Sequence, residues 1–476
     1  MGMSQEPLVT EELIARQSPD AQAIIRLLLA RIAEQDRRIA ALEAEVAALK
    51  KTPRNSSLPP STEHPHAKPS RDKTASNKKP GGQPGHPKYE RALTPAEQCQ
   101  AVVPLKPDTC RRCGEALGGS DPEPLRHQVW EIPPIQPLVT EYQLHRLTCP
   151  CCRESTCAQL PAGVPSSQGG PRLVALVALL MGCFRQSKRR VALFLESVLN
   201  QPCSPGWVVK LQQQATTAIS PACEELAQQL PAEKILGIDE SPTKQGKSKA
   251  WLWTFVAPRY TVFALRTTRA ATVLQEHLSD AFDGVINCDR AKMYWKNGKL
   301  QWCWAHLKRD FQALVDHPDR QVSRLGHDLM RPTGELFRHW SRCRDGTIKR
   351  RGMLRLLRPV RQKVEGFLLR GMFSGNPTIS GMCQELYHHR QWLWTFLEVD
   401  GVEITNNASE RALRHAVIWR KLSFGTQSSN GSEFVAKILT VVETCRQQSR
   451  GVFDYLTAAM QAHFASTSAP SLLPEA

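Results

Sequence analysis

The chain has 476 residues, a length that predicts about three domains at roughly 100–200 residues each. Its 62 Lys and Arg outnumber 45 Asp and Glu, and the net charge of +17 indicates a polyanionic partner such as DNA, RNA or an acidic membrane face. A hydrophobic fraction of 41% excludes a wholly disordered chain. The longest apolar run, 173–184, is shorter than the about 20 residues of a membrane span, and no signal peptide is expected. The 15 cysteines are therefore expected to be reduced thiols, and clustered ones to be metal ligands.

The first 50 residues are predicted to form a coiled-coil oligomerisation helix. Two apolar seams repeat every seven residues, which is the pattern that supercoiling requires. The first seam holds Ile25, Ile32, Ile39 and Val46, and the second holds Leu28, Gln35, Leu42 and Leu49. β-Branched residues in the first seam favour a parallel two-stranded coil, with Gln35 as the polar layer that fixes its register. The alternative is an amphipathic helix packed on its own domain.

Residues 51–98 are predicted to be a basic flexible linker. The stretch is rich in Pro, Ser, Gly and Lys, has no apolar period, and carries nine Lys or Arg against four Asp or Glu. It serves either as a spacer or as an arm that lies along phosphates.

Residues 99–160 are predicted to be a small zinc-ribbon-like module. Two CxxC pairs are typical of a tetrahedral, structural four-thiolate zinc site, here formed by Cys110, Cys113, Cys149 and Cys152. Cys151 and Cys157 compete for the place of the fourth ligand, and a metal-free pair of turns is the alternative. Alternating apolar residues over 138–144 predict a strand between the pairs.

Residues 161–230 are predicted to be helical. A helix over 186–199, a turn at 200–205 and a second helix from Gly206 have the spacing of a helix-turn-helix DNA-binding motif. A plain helical hairpin fits this pattern equally well.

The next region alternates strands and helices and carries two carboxylates. Strands are predicted over 234–239, 251–258, 261–268, 284–289 and 300–303, with helices over 270–282 and from Trp304. The first and fourth strands each end in an aspartate, Asp239 and Asp289, which meet if those strands are neighbours. Paired carboxylates repel unless a cation lies between them, and oxygen ligands select Mg²⁺ or Mn²⁺. The alternative is that both aspartates are turn formers.

A basic helix over 405–421 carries Glu410 in its first turn. There Glu410 either closes the predicted metal site or caps the helix in a capping box with Asn407. Cys303 and His306 form a C-x-x-H pair after the fifth strand, and this lone pair is expected to be structural.

Several stretches together resemble one known family. They are NSSLPPS (55–61), GGQPGHPK (81–88), the CxxC pairs, GIDESPTK (237–244), CDRAKMY (288–294), CWAHLKRDF (303–311), TNNASERALR (405–414) and RKLSFGTQSSNG (420–431). The chain resembles the large transposase of insertion-sequence family sixty-six, within the DDE transposases of the RNase H-like, retroviral-integrase superfamily. The resemblance implies an α/β RNase H-like core with Asp239, Asp289 and Glu410 as its catalytic, Mg²⁺-binding acids.

The resemblance also implies the order of domains. A first part of the catalytic core is expected over 231–315, a helical insertion over 316–400, the Glu-bearing end of the core over 401–445, and a C-terminal helix and tail over 446–476.

The implied function is that of a bacterial transposase. It would bind the terminal inverted repeats of its element and catalyse metal-dependent cleavage and transfer of DNA strands. We expect a homo-oligomer, target DNA and small accessory proteins of the same element as partners, and a cytoplasmic, nucleoid-associated location. The alternatives are an inactive transposase-derived DNA-binding regulator and an RNase H-like nuclease that does not join strands.

Overall fold

The computed structural model describes residues 11–49, 91–279 and 282–474. Most of the predicted linker, residues 51–90, lies outside them. The chain divides into two compact units. The larger one includes residues 141–193, 203–279 and 282–474. The smaller unit includes residues 91–140 and 194–202. Within these described ranges, no helix combines the length and the hydropathy needed to cross a bilayer.

The N-terminal region is helical, as predicted. A short helix α1, Glu11–Ala15, precedes the 31-residue helix α2, Pro19–Leu49. Seam residues Leu28, Ile32, Ile39 and Leu42 are each about half exposed. The continuous helix is therefore confirmed, whereas its pairing with a second helix stays a prediction.

Both CxxC pairs lie in tight turns that close short antiparallel pairings. Thr109 pairs with Ala116 around the first turn. Strand β1, Arg146–Thr148, pairs with β2, Ser155–Cys157, around the second. The strand predicted over 138–144 is wrong, because those residues are irregular and exposed. Apolar alternation forms a strand only where a neighbouring strand pairs with it and a core covers one face.

Three helices follow, as predicted: α3, Pro171–Gly182; α4, Lys188–Leu199; and α5, Pro205–Gln229. The side chain of Ser204 accepts a hydrogen bond from the Trp207 N–H, and Pro205 occupies the first turn, so the start of α5 is well specified. The connection at 200–204 fits both the helix-turn-helix motif and the plain hairpin.

A five-stranded mixed sheet forms the centre of the larger unit. Its strands are β3, Ile235–Gln245; β4, Ser248–Val256; β5, Thr261–Arg266; β6, Val285–Cys288; and β7, Lys299–Trp302. The spatial order is β5-β4-β3-β6-β7, with β3 antiparallel to β4 and parallel to β6. The two aspartate-bearing strands, β3 and β6, are therefore neighbours, which is the condition under which their aspartates can meet.

The sequence predicts that the first strand ends at Asp239, but in the structure β3 runs past this residue. It continues to Gln245 because it forms a hairpin with β4 that pairs as far as Gln245 with Ser248. On its other side, β6 pairs only with Ile235–Gly237. Pro242 is therefore tolerated, since its missing N–H would face the side that has no neighbouring strand.

The remaining elements are helical. Helix α6 spans Thr272–Leu278 and is shorter than predicted, and α7 spans Trp304–Val315. The expected helical segment 316–400 forms α8, Arg320–Arg344; α9, Arg350–Gly371; α10, Pro377–His388; and α11, Gln391–Glu398. The chain then forms α12, Asn407–Ser423; α13, Ser429–Gln447; and α14, Val452–Phe464. Helix α11 packs on β7, α12 on β3, and α13 on β5 and α5.

Candidate active site

Strand β3 carries two adjacent acids whose side chains point to opposite faces of the sheet. Asp239 is half-buried, and its Oδ1 accepts a hydrogen bond from the Glu240 N–H at 2.9 Å. Glu240 is buried, and both of its oxygens have partners. Its Oε1 accepts from the Arg269 Nε at 2.7 Å, and its Oε2 accepts from the Tyr294 hydroxyl. Asp239 is thus the acid of this pair that is available to a ligand.

Asp289 follows the last residue of β6. Its Oδ1 accepts a hydrogen bond from the Ala291 N–H at 2.8 Å, which fixes the turn that leaves the strand. The next residue, Arg290, forms ion pairs with Asp310 at 2.7 Å and with Glu385 at 3.2 Å. The loop that presents Asp289 is therefore tied to helices α7 and α10.

Glu410 lies in the first turn of α12, whose start is attached to β3. The side-chain Nδ2 of Asn406 donates to the Ile238 carbonyl at 2.7 Å, and its Oδ1 accepts from the Ser409 hydroxyl at 2.7 Å. The helix begins with Asn406 as its N-cap, and no side-chain capping hydrogen bond is formed there. The capping box with Asn407 is therefore not present, because Glu410 is one position too far into the helix.

Close contact between α12 and β3 depends on Gly237. A Cβ atom at this position would lie 2.6 Å from the Ser409 Oγ and 3.1 Å from the Asn406 Oδ1. Asn287, the residue of β6 that pairs with Gly237, donates from Nδ2 to the carbonyls of Glu403 at 2.7 Å and Thr405 at 3.2 Å. The two central strands thus hold the chain that leads to Glu410.

The C-x-x-H pair lies against Glu410. His306 Nδ1 is 3.6 Å from Glu410 Oε1, and both atoms are buried without a hydrogen-bond partner among the described residues. One ligand atom each from Cys303, His306 and Glu410 lies within 4.8 Å of the others. Cys303 Sγ also accepts the Asn406 N–H at 3.2 Å, and burial raises the pKa of this thiol to about 11. Burial lowers the pKa of His306, which favours its neutral imidazole.

Asp239, Asp289 and Glu410, here called the carboxylate cluster, interact electrostatically. Burial raises the pKa of Asp239 well above its usual range, and the charges of Glu240, Asp289 and Glu410 raise it further. Like charges disfavour ionisation in this way when no cation lies between them. Burial and the charge of Asp289 raise the pKa of Glu240 to about 7 against the opposing effect of Arg269.

Each CxxC turn, taken by itself, has the same hydrogen-bond pattern. In the first, the Cys110 carbonyl accepts the Gly114 N–H at 2.9 Å, and in the second, the Cys149 carbonyl accepts the Arg153 N–H at 2.9 Å. Backbone hydrogen bonds lower the pKa of the first thiol in each turn. The backbone of Cys113 acts in this way on Cys110, and the backbone of Cys152 acts on Cys149. Thiolates are the form that binds zinc.

Comparison with known proteins identifies the class. Residues 166–433 match the IS66 family of transposases, and residues 107–153 match the zinc-finger binding domain of transposase IS66. Residues 6–92 match a family of unknown function. Because the first match covers more than half of the chain, this protein belongs to the IS66 family of transposases, which is the insertion-sequence family that the motifs resemble.

Two relatives from Sinorhizobium fredii (strain NBRC 101917 / NGR234) are similar to this chain. The uncharacterized protein y4qI is 26% identical over 242 residues, which are 46% of this chain and 44% of that protein. The uncharacterized protein y4hP is 24% identical over 385 residues, which are 73% of this chain and 69% of that protein. The chain thus spans less than half of the first relative and about two thirds of the second.

Proposed function

We propose that this protein transposes its element with the carboxylate cluster as its catalytic centre. The observation that carries the proposal is that the charges of Asp289, at the end of β6, and of Glu410, at the start of α12, act on Asp239 of β3. The donor set fits a hard divalent cation, since all three groups offer oxygen and Glu410 Oε1 is buried without a hydrogen-bond partner in the described structure. The mixed sheet with β3 at its centre supports the RNase H-like core that the resemblance implies.

The three acids would hold Mg²⁺ or Mn²⁺. When bound, the cation supplies Lewis-acid polarisation of the phosphodiester and makes water or a 3′-hydroxyl a stronger nucleophile. Glu240 takes no part, because Arg269 and Tyr294 occupy its oxygens. His306 positions Glu410 through the 3.6 Å contact at its Oε1.

Exposed arginines of α9 provide a surface for DNA phosphates. Arg351, Arg355 and Arg358, here called the α9 arginine face, are spaced four and three residues apart and therefore share one side of the helix. All three are exposed, and none forms an ion pair with any residue that the structure describes. Unpaired arginines on one face neutralise phosphates without reading sequence. The DNA would be the inverted repeats of the element and its target.

The zinc module and the N-terminal helix support assembly on DNA. The matching turns favour Cys110, Cys113, Cys149 and Cys152 as the ligands of a structural zinc ion, and the helices at 161–230 and the basic linker add DNA contacts. The exposed seams of α2 favour pairing with a second copy, so that each protomer holds one element end. Accessory proteins of the element would join this assembly at chromosomal DNA, in the bacterial cytoplasm at the nucleoid.

Processing of the element's own end DNA tests this function. Wild type, Asp289→Asn and Glu410→Gln are compared in Mg²⁺, Mn²⁺ and EDTA, with the exposed Glu398→Gln as a matched control. We expect cleavage and strand-joined products from wild type and the control, lost in EDTA and in both active-site variants. Cleavage without joining would indicate the nuclease, and binding without cleavage the DNA-binding regulator. Cleavage by Asp289→Asn at the wild-type rate would refute the assignment.

A further inference from the structure

A cavity of about 760 Å³ is lined from Ser241 onward along β3, two residues beyond Asp239, and has no role in the function proposed so far. It is bounded by β3 and β4, the second half of α12, the loop 425–428 and residues 186–189 before and in α4. Apolar side chains and cations share its lining: Leu252, Trp419, Phe434, Lys188, Arg189 and Arg420. An apolar chamber with cations suits a ligand that has a flat apolar body and an anionic group.

Arg420 is the strongest sign of an anionic ligand. The residue is half-buried, its Nη1 donates to the Ser241 hydroxyl at 3.1 Å, and it forms no ion pair with any acid in the described part of the chain. Burial lowers the pKa of this guanidinium. A cation that has lost part of its water without gaining a carboxylate is stabilised by an incoming anion. Ser428, which also lines the cavity, caps α13, so the partial positive charge of that helix N-terminus lies at the cavity wall.

An exposed phenylalanine lies at the edge of this cavity in an unusual backbone conformation. Phe424 ends α12 with φ 58°, in the left-handed region that bulky residues rarely adopt, and its surface is 81% exposed. Its neighbours Ser423 and Gly425 both line the cavity.

The loop that carries Phe424 is held against β3. The Thr426 N–H donates to the Lys244 carbonyl at 2.9 Å, and the Gly246 N–H donates to the Thr426 carbonyl at 2.7 Å. At Gly425 a Cβ atom would lie 2.4 Å from the Lys244 oxygen, so only glycine permits this approach. The aromatic ring is thus presented to solvent from a fixed backbone.

We propose that the cavity binds one unpaired nucleotide of the bound DNA and that Phe424 fills the gap left in the base stack. The base would lie against the apolar walls, and its phosphate would face Arg420. Apolar side chains that enter a base step unstack it, and an extruded base is held in a closely fitting pocket. The inference rests on the proposed function, because the DNA must also reach the carboxylate cluster.

The fold limits where this nucleotide lies. Ser241 lines the cavity and is two residues from Asp239 on the same face of β3, a separation of about 7 Å. Phe424 is 14 residues from Glu410 at the far end of the axis of α12, about 21 Å away. At about 3.4 Å per nucleotide, the extruded base lies roughly two to six nucleotides from the cleaved phosphate.

Fluorescence of 2-aminopurine tests the proposal without requiring catalysis. The base analogue is placed at successive positions across the element end, and full-length protein that retains its zinc is added in buffer without Mg²⁺ or Mn²⁺, where no strand is cut. We expect fluorescence to rise at one position in the predicted window, because the analogue brightens when it is unstacked. Phe424→Ala should abolish the rise and weaken DNA binding about tenfold, given the usual value of a stacking contact. Arg420→Gln should reduce the rise in the same position.

Leu422→Ala is the matched control. It removes another exposed apolar side chain near the same helix end and should leave both the signal and DNA binding unchanged. Thermal unfolding of each variant excludes misfolding as the cause of a lost signal. If wild type binds and cuts end DNA in Mg²⁺ but the analogue stays dark at every position, the cavity proposal fails while the transposase function stands. If wild type does not bind end DNA, both fail.

Discussion

Substitution of Gly237 by alanine should impair catalysis more than stability. The new Cβ would lie 2.6 Å from the Ser409 Oγ, whereas ordinary contacts begin at 3.4 Å, so the contact must open by about 0.8 Å. Because the Ser409 hydroxyl donates to the Asn406 Oδ1, itself only 3.1 Å from the new atom, we expect the start of α12 to move with it. Overpacking of this kind costs about 1–3 kcal/mol, and strain on the Asn406 hydrogen bond to the Ile238 carbonyl adds about 1 kcal/mol. A catalytic group misplaced by about 1 Å loses about a hundredfold in rate. Glu410 lies one residue after Ser409, so we expect that loss for Gly237→Ala.

The assay compares two glycine variants with similar clashes. Single-turnover cleavage of end DNA in Mg²⁺ and thermal unfolding are measured for Gly237→Ala and Gly182→Ala. At Gly182 a Cβ would lie 2.4 Å from Ile438 Cγ1, in the contact between α3 and α13. We expect both variants to lose stability and only Gly237→Ala to lose the cleavage rate of its folded fraction. Equal rates in the two variants would refute the view that α12 must lie close to β3 for catalysis.

Three further outcomes follow from other parts of the structure. Cys152→Ser should lower the zinc content measured by mass spectrometry of the metal, whereas Cys151→Ser should keep it; the reverse result would assign the fourth ligand to Cys151. Replacing the three arginines of the α9 arginine face with glutamine should weaken the salt dependence of DNA binding. The slope of log affinity against log salt should become smaller in magnitude by roughly 2–3. An unchanged slope would show that this face does not contact the DNA. Burial, together with the charge of Arg266, lowers the pKa of His277 from its usual 6.5, so the folded state favours the neutral imidazole. The unfolded state therefore binds more protons, and the free energy of unfolding should fall as pH drops below 6.5. His277→Asn should flatten that fall in denaturant titrations.

The sequence predicted the two-strand part of the site because its signals are local. Apolar runs that end in Asp239 and Asp289 specify the two strands, whereas their adjacency is a tertiary feature, since β4, β5 and α6 separate β3 from β6 along the chain. The extension of β3 beyond Asp239 was missed, because it depends on pairing with β4 on one side and on the early end of β6 on the other. Neither is visible in the run itself.

The contacts around Glu410 could not be predicted, because they join distant segments. Cys303 and His306 form only a lone C-x-x-H pair in the sequence, and their proximity to Glu410 arises when α7 and the segment before α12 pack together. The strand expected over 138–144 failed for the opposite reason, since its alternation is local but has no partner. Local patterns thus predicted elements, and tertiary packing decided which of them form and what they bring together.

Helix α12 links the two proposed sites, which makes their separate roles distinguishable. Glu410 lies in its first turn and Arg420 in its last, with the helix packed on β3 between them. A shift at the start of a continuous helix is carried to its end, so Gly237→Ala should lower both cleavage and the 2-aminopurine signal. Phe424→Ala leaves the first turn untouched and should abolish the signal, while the metal-dependent rate at saturating DNA changes less. A loss of both in Phe424→Ala would mean that base extrusion precedes cleavage and limits its rate.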